Sequence, residues 1–186
     1  NEFTLAEGKK GKGIVIGDKN ASVLYEMKDN FNPQSGTLEF WVKPLNWSGY
    51  TKPHVFIRSY YDREGSLSVI IYDGEPYGGI ALYEKSSREK KLGAVYSRND
   101  AWKAGQWHHV VVVWRDTEMG LYVDGALRGT MLLEFPMALE TMSQYLSVGP
   151  IHSWGQEGST VIDELRIYNR PLTAEEIKTF FQESAP

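Results

Sequence analysis

Carboxylates and histidines are the side chains of this 186-residue sequence that could take part in catalysis, and their spacing decides whether they can. Hydrolysis of a glycosidic bond needs two carboxylates that reach one sugar from one face, as alternate positions of a strand do. The nearest pattern is V-I-D-E-L at 161–165, where Asp163 and Glu164 are neighbours and therefore point to opposite faces. No paired-carboxylate site is predicted there.

The histidines are also poorly spaced for catalysis or for metal binding. His108 and His109 are adjacent in a predicted strand and diverge, while His54 and His152 have no partner at H-x-H or H-E-x-x-H spacing. A serine-histidine-aspartate triad stays open, but no G-x-S-x-G sequence nominates its serine. There is no cysteine, so thiolate chemistry and cysteine-bound zinc are excluded. We interpret the chain as a non-enzyme with partly buried, hydrogen-bonded histidines.

Asp163 is the carboxylate that most needs a partner. Alternation in its strand puts it on the same face as Val161, Leu165 and Ile167, so it is predicted on the apolar side, where an ionised group must be paired. A calcium ion with oxygen ligands would pair it. Backbone N–H groups or a lysine or arginine side chain would do so equally, and both arrangements stay open.

Charge and hydropathy narrow the range of partners. The net charge is −4 with a pI near 5.6, and the basic residues are scattered apart from short clusters at 9–12 and 88–91, so nucleic acid is not an expected partner. The longest apolar runs are about five residues, far short of the roughly 20 that cross a bilayer, so no membrane insertion is expected. The length suits one domain over residues 1–186.

The stretch from Trp107 to Gly125 organises the predicted fold. Its residues Val110–Trp114 are all apolar and mostly β-branched, which favours a strand buried on both faces. A second strand follows at 121–123 and ends at Asp124-Gly125, the pair that a two-residue hairpin prefers. A strand with two buried faces needs a further layer on each side.

Further strands and one helix are predicted around this stretch. Ile14–Ile16 is expected to pair with Ser22–Met27. The other strands are expected at 37–44, 54–61, 66–72, 79–84, 92–97, 144–148 and 160–168. The pattern predicts an all-β fold, a two-sheet antiparallel β-sandwich or jelly roll with one C-terminal helix.

The helix has a clear start signal. Thr173 and Glu176 have the spacing of a capping box, and Leu172 and Ile177 have the spacing of a hydrophobic staple. Its apolar face is expected to dock against one edge of the sandwich.

Four segments occur in an order that resembles one family: GTLEFWVKP (36–44), WHHVVVVW (107–114), MGLYVDG (119–125) and VIDELRIYNRPLTAEEI (161–177). They are similar to laminin G-like, or concanavalin A-like, jelly-roll domains of the bacterial type appended to polysaccharide-active enzymes. The resemblance covers nearly the whole chain. It implies two antiparallel sheets, one of them curved, and often carbohydrate binding.

The same resemblance implies a structural calcium ion (Ca²⁺). In this family the aspartate in the place of Asp163 is usually paired with the N-terminal region. Asp18 and Asn20, in the first turn, are the matching candidates for the other metal ligands.

Aromatic residues that the core does not use are the candidate sugar-binding residues, because rings stack on the C–H faces of sugars. If alternate residues of 38–42 and Val111 and Val113 face the core, then Trp41 and Trp114 face outward, and one sheet has a polar-aromatic outer surface. The candidates on the sheet are Arg58, Tyr60, Tyr72 and Tyr83, and those at the loop tips are Trp47, Tyr50, Tyr61, Tyr77 and Trp154.

The expected function is that of a non-catalytic carbohydrate-binding module that keeps a secreted polysaccharide-active enzyme near its substrate. Its partner would be a polysaccharide or oligosaccharide, its location extracellular or at the cell surface, and its context a monomeric module of a longer multidomain protein. Two alternatives stay open, an adhesion or protein-interaction domain and a spacer that binds nothing. A groove with exposed rings favours the first function, and a broad flat apolar patch favours the second.

Overall fold

The structure is a computed structural model that describes residues 3–18, 22–49, 53–59, 65–72, 79–86, 92–97, 102–134, 136–139, 144–150 and 158–183. Within strands, the side chains of residues 65–66, 70–72, 79–86 and 92–93 are not described. The strands are β1 Leu5–Glu7, β2 Lys12–Gly17, β3 Val23–Glu26, β4 Ser35–Pro44, β5 His54–Ser59, β6 Gly65–Tyr72, β7 Gly79–Ser86, β8 Leu92–Ser97, β9 His108–Arg115, β10 Glu118–Val123, β11 Ala126–Leu132, β12 Tyr145–Val148 and β13 Ser159–Tyr168. The helix α1 spans Ala174–Glu183.

These strands form two antiparallel sheets packed face to face. The seven-stranded sheet has the order β1-β2-β13-β4-β9-β10-β11, and the six-stranded sheet has the order β3-β12-β5-β6-β7-β8. The predicted β-sandwich with one C-terminal helix is therefore confirmed. The central position of β9 is also confirmed, since β4 and β10 flank it on both sides.

Strand β9 is buried on both faces, as its sequence predicts. Val110 and Val112 lie in the core between the sheets together with Trp114, while Val111 packs in a separate cluster on the outer face. The prediction that Trp114 faces outward and Val111 faces the core is wrong by one position. A run of consecutive apolar residues has no polar partner to mark which alternate set is inside, so the pattern does not determine the face.

Trp114 illustrates the consequence of this register. Its ring stacks on Phe31 with a centroid distance of 4.8 Å, and its Nε1–H donates to the carbonyl of Asn32 at 2.8 Å. Gly36 lies against the same ring, so a side chain at position 36 would collide with it. Trp114 therefore belongs to the inter-sheet core.

The predicted pairing of Ile14–Ile16 with Ser22–Met27 is also wrong. β2 pairs with β1 and β13, while β3 joins the other sheet and pairs with β12. Val15 and Ile16 are both buried, so both faces of β2 are covered, whereas β3 is an edge strand in which Leu24 is 52% exposed. Local sequence order favours a hairpin here, but the pairing of β2 with β1 and β13 places the two strands in different sheets.

Two local predictions near the C-terminal half are confirmed. Asp124 and Gly125 have φ angles of 53° and 74°, which fits the two-residue turn between β10 and β11. At the start of α1, the Thr173 hydroxyl accepts the Glu176 N–H at 3.2 Å, and the Glu176 carboxylate accepts the Thr173 N–H at 2.8 Å. This is the reciprocal geometry of a capping box.

Helix α1 lies on the outer face of the seven-stranded sheet. Ile177 and Leu172 are buried in one cluster with Val111, and the Phe181 ring stacks near Trp41 with a centroid distance of 5.9 Å. The expected docking against an edge is therefore wrong, because the apolar outer face of β4 and β9 has to be covered. Among the described residues, no helix has the length and hydropathy needed to cross a membrane.

Thr173→Ala should lower the free energy of unfolding by about 1 kcal/mol, because the substitution leaves the backbone N–H of Glu176 without its acceptor. Urea denaturation would measure this difference. Lys178→Ala, an exposed change in the middle of the same helix, should have an effect close to zero. Equal stability of Thr173→Ala and the parent would show that the capping box does not stabilise the docked helix.

Candidate functional site

The outer face of the seven-stranded sheet carries a buried polar network under helix α1. The Glu39 carboxylate is 1% exposed and lies 2.9 Å from Nε2 of the fully buried His109. The Tyr168 hydroxyl donates to the same carboxylate at 2.8 Å, and the Arg166 guanidinium lies 3.5 Å from it. Arg166 also pairs with Glu164. The carboxylate and histidine that could do chemistry thus satisfy each other.

The environment of this network shifts two pKa values in opposite directions. Burial alone would raise the pKa of Glu39, but the hydrogen bonds from His109 and Tyr168 and the charge of Arg166 bring the pKa below its ordinary value. Burial and the hydrogen bond to Glu39 raise the pKa of Tyr168 to about 12. The network therefore holds Glu39 ionised and Tyr168 protonated at neutral pH.

The N-terminal segment closes another part of the same face. Lys9 Nζ lies 4.2 Å from the centroid of the Trp41 ring, and Lys43 Nζ lies 4.7 Å from that of Trp107. Trp41 does lie on the outer face as predicted, but it is only 2% exposed because Lys9 and the stacked rings of His109 and α1 cover it. This part of the face is covered by the protein's own chain, and Trp41 offers no platform to a ligand.

Asp163 lies on this outer face, and its predicted position on the core side is wrong. The pairing of β13 with β4 shifts register between Asp163 and Arg166, and Glu164 has a φ of 51°, which together describe a β-bulge. Because the bulge inserts a residue, Leu165 and Ile167 pack against the core while Asp163 does not share their face. The Lys10 backbone N–H donates to its Oδ2 at 2.9 Å, so a backbone group supplies one of the partners that the sequence left open.

Asp18 is not close to Asp163. Asp163 lies beside Gly13 at one end of β2, and exposed Asp18 follows Gly17 at the other end, so about five strand positions, or about 16 Å, separate them. Two ligands of one calcium ion cannot be that far apart. Asn20 lies outside the described residues, within which no three His, Asp or Glu side chains are grouped to hold a metal. The binding of a structural calcium ion itself stays a prediction.

One end of the sandwich is filled by stacked rings. Trp47 stacks on His54 with a centroid distance of 3.6 Å, and its Nε1–H donates to the Thr160 hydroxyl at 3.0 Å. The stack of rings continues from Trp47 to Trp102 and from there to His108. Trp47 is half-buried, so this sequence-predicted loop aromatic contributes much of its ring to packing. Burial lowers the pKa of His54 to about 4, and its Nδ1 has no hydrogen-bond partner in the described part of the chain.

The outer face of the six-stranded sheet has a different character. On β12, Leu146 and Val148 point into the core, so the alternate residue Ser147 lies on the outer face. Ser147 pairs with Arg58 on β5, and Arg58 pairs with Ser68 on β6. We call the cross-strand neighbours Leu24, Ser147, Arg58 and Ser68 the Arg58 row.

The Arg58 row combines buried polar groups with exposed apolar ones. Ser147 is completely buried and its hydroxyl donates to the Gly149 carbonyl at 2.6 Å, while Ser68 is 6% exposed. At the edge of the sheet, Leu24 is 52% exposed, and Tyr145, diagonal to it on the same face of β12, is 36% exposed. Arg58 itself is half-buried. Since Ser147 and Ser68 are buried, Arg58 is the polar member of the row that a ligand can reach, and Tyr145 offers a ring on which a flat ligand can stack at the edge.

The remaining candidates fall mostly outside what the structure describes. Tyr83 on β7 is the cross-strand partner of Ser68, so its backbone position extends the Arg58 row by one strand. Tyr72 is the last residue of β6 and pairs with Gly79. The side chains of these two tyrosines are not described. Outside the described residues lie Tyr50, Tyr60, Tyr61, Tyr77 and Trp154.

Tyr145 is a candidate that the sequence reasoning missed. The strand 144–148 was predicted, and its alternating apolar residues Leu146 and Val148 were visible in the sequence. Alternation from those two residues places Tyr145 and Ser147 on the opposite face, which would have found the ring. No comparable signal places Leu24 beside them, because that contact depends on the sheet that β3 joins.

Glu39→Ala should lower the free energy of unfolding by about 3–5 kcal/mol, because it leaves His109 and Tyr168 buried beside a cavity without their acceptor. The measurement is urea denaturation at pH 7. Glu118→Ala, which removes an exposed carboxylate from the same sheet, serves as the control and should change stability little. A Glu39→Ala loss below 1 kcal/mol would contradict the proposed importance of the network.

His54 should make the fold sensitive to acid. Its pKa is about 4 in the folded chain and near 6.5 when unfolded, so the unfolded state binds the proton more readily. Stability is therefore fully present above pH 6.5 and falls as the pH drops towards 4, by at most about 3 kcal/mol from this group. Melting temperatures of the parent and His54→Gln between pH 7 and pH 4.5 test this. If the melting temperatures of the two proteins fall by the same amount between pH 7 and pH 4.5, His54 is not the source of the acid sensitivity.

Solved structures with the same fold include sugar-binding and receptor-binding domains. Domain 4 of AbnA, an extracellular arabinanase from Geobacillus stearothermophilus solved with arabinotriose, superposes with a TM-score of 0.74 at 18% identity, over 98% of this chain and 82% of that one. The binding domain of Paraclostridial Mosquitocidal Protein 1 gives 0.76 at 13% identity over 97% of this chain, and that of botulinum neurotoxin serotype G gives 0.74 at 11% over 98%. The chain spans about 45% of the length of each toxin domain.

The sequence itself matches a family model over most of its length. No curated protein sequence matches the chain. The model that describes concanavalin A-like lectins and glucanases, Laminin_G_3, matches residues 17–178, from the end of β2 into helix α1. The chain therefore belongs to the concanavalin A-like lectin/glucanases superfamily.

Proposed function

We propose that the chain is a non-catalytic carbohydrate-binding module that holds a secreted polysaccharide-active enzyme on its glycan. The observation that carries this proposal is the Arg58 row, in which hydrogen-bonding side chains and exposed apolar groups share one sheet face. Sugars present the same combination, with hydroxyls at the ring edge and C–H groups on the ring face. The row therefore matches the chemistry of a sugar ring.

The position of the row favours binding over chemistry. It lies on paired strands, where backbone hydrogen bonds hold each side chain in place before a ligand arrives, which lowers the ordering cost of binding. Among the described residues, two carboxylate–histidine pairs, Glu39–His109 and Asp124–His108, belong to the other sheet, and the first is buried beneath α1. The arabinotriose complex of a domain with this fold supports a sugar as the ligand class.

The second candidate is an interaction domain with a protein partner. It is favoured by the exposed apolar residues of edge strand β11, where Leu132 is 77% and Leu127 is 52% exposed. Unpaired edge strands are surfaces on which another chain can dock. The fold shared with the binding domains of these toxins is compatible with this role. It takes the place of the first proposal if the chain binds no glycan.

Tyr145→Ala should weaken glycan binding by about 1–3 kcal/mol, the range expected for a stacking ring. Affinity electrophoresis against soluble polysaccharides, including arabinan, would measure it. Tyr25→Ala is the matched control, because Tyr25 is 49% exposed on the neighbouring strand and pairs with core-facing Leu146, so it lies on the opposite face. Both variants should melt like the parent. Unchanged retention of Tyr145→Ala on a glycan that the parent binds would place the site elsewhere.

A further inference from the structure

Arg58 has an unusual position for a charged residue. It lies on β5, the third strand of the six-stranded sheet, with β12 and β6 paired on either side. The guanidinium Nε is buried and has no hydrogen-bond partner among the described residues. An arginine on a sheet edge would keep its water, but this N–H has lost it. The charge is therefore incompletely compensated.

The neighbours of Arg58 in the row do not supply a negative charge. Ser147 and Ser68 are neutral, and the Ser147 hydroxyl donates to a backbone carbonyl. Other described arginines are paired differently: Arg166 lies against Glu39 and Glu164, and Arg170 forms a double hydrogen bond with Glu176. Arg58 has no carboxylate partner in the described part of the chain. Within the described residues, nothing supplies a negative charge to Arg58.

A partly buried cation without a counter-ion lowers stability, and a ligand that supplies the negative charge recovers this free energy on binding. Because Nε is buried, a ligand can approach the guanidinium only through its two Nη groups, a fork that fits the two oxygens of a carboxylate or of a sulfate ester. A neutral hydroxyl would satisfy one N–H and leave the positive charge without a counter-ion. Anionic oxygens therefore fit this site better than neutral sugar oxygens do.

We infer that the glycan recognised by the Arg58 row is acidic, carrying uronate carboxylates or sulfate esters, with Arg58 as the residue that selects the charge. The inference rests on the proposed carbohydrate-binding function and names its ligand class. A charged group would bind at Arg58 near the centre of the row. The adjoining sugar would lie towards Leu24 and Tyr145, which are exposed on the same face.

Four soluble polymers distinguish the possibilities in titration calorimetry at low and moderate salt: polygalacturonate, its fully methyl-esterified form, a sulfated galactan and neutral arabinan. The parent should bind polygalacturonate or the sulfated galactan, and either result supports the inference while identifying the anionic group. Methyl esterification removes the carboxylate charge while keeping the sugar, so it should abolish binding to polygalacturonate. Affinity should fall with added salt, since the partly exposed charge is screened.

Arg58→Gln should weaken binding to the preferred acidic polymer about 10- to 100-fold, the range for a lost hydrogen bond to a charged group. Arg115→Gln makes the same charge change at an exposed position of the other sheet and should bind like the parent. Arg58→Lys keeps the charge but not the fork, so it should bind weakly and retain the salt dependence. This variant provides the test if Arg58→Gln does not melt like the parent.

Three results would overturn the inference. Equal binding of arabinan and the acidic polymers would show that charge is not selected, while the proposed carbohydrate-binding function would stand. Unchanged affinity of both Arg58 variants for an acidic polymer would place the anion elsewhere on the chain. Failure of the parent to bind any glycan would remove the proposed function together with the inference.

Discussion

Burial of strand β9 on both faces is the constraint on which the rest of the structure depends. Val110 and Val112 need the six-stranded sheet above them, and Val111 needs a separate layer below. The second layer comes from helix α1, through Leu172 and Ile177, and from the N-terminal segment over Trp41. The two sheets therefore differ, because α1 and the N-terminal segment cover much of the outer face of the seven-stranded sheet and so stabilise the fold.

Glu39 is compatible with burial on that face because its carboxylate has several partners, whereas Nδ1 of His109 has none among the described residues. An ionised carboxylate such as Glu39 is tolerated in the interior only if hydrogen bonds and opposite charges replace its water. Here it joins three strands, since it lies on β4, His109 on β9 and Tyr168 on β13. A cluster of residue types that suggests acid-base chemistry thus serves as a cross-strand tie beneath the helix.

The six-stranded sheet has the complementary property. Its inner face supplies the core with residues such as Phe56, Leu67 and Leu146, and its outer face keeps polar and apolar groups at one rigid surface. Arg58 has no carboxylate partner among the described residues. Such a cation is costly to a fold that needs no ligand, and it becomes an advantage to one that binds an anion. This difference between the two sheets connects the packing of the sandwich to its proposed function.

The sequence by itself determined the features that depend on residues a few positions apart. The Asp124-Gly125 turn, the capping box at Thr173 and the strand at 110–114 were predicted because positive φ angles, helix N–H groups and β-branched side chains act locally. The β-sandwich followed from the same strands. These are physical preferences that each segment keeps in any surroundings.

Only the tertiary structure decided which face each side chain uses and which strands are neighbours. A single bulge at Asp163 reversed the predicted face, since one inserted residue changes the alternation beyond it. The sheet that β3 joins, and hence the meeting of Leu24 with Ser147 and Arg58, depends on pairing between distant segments. Such contacts are chosen by the burial of the whole core, because no local pattern distinguishes one edge from another.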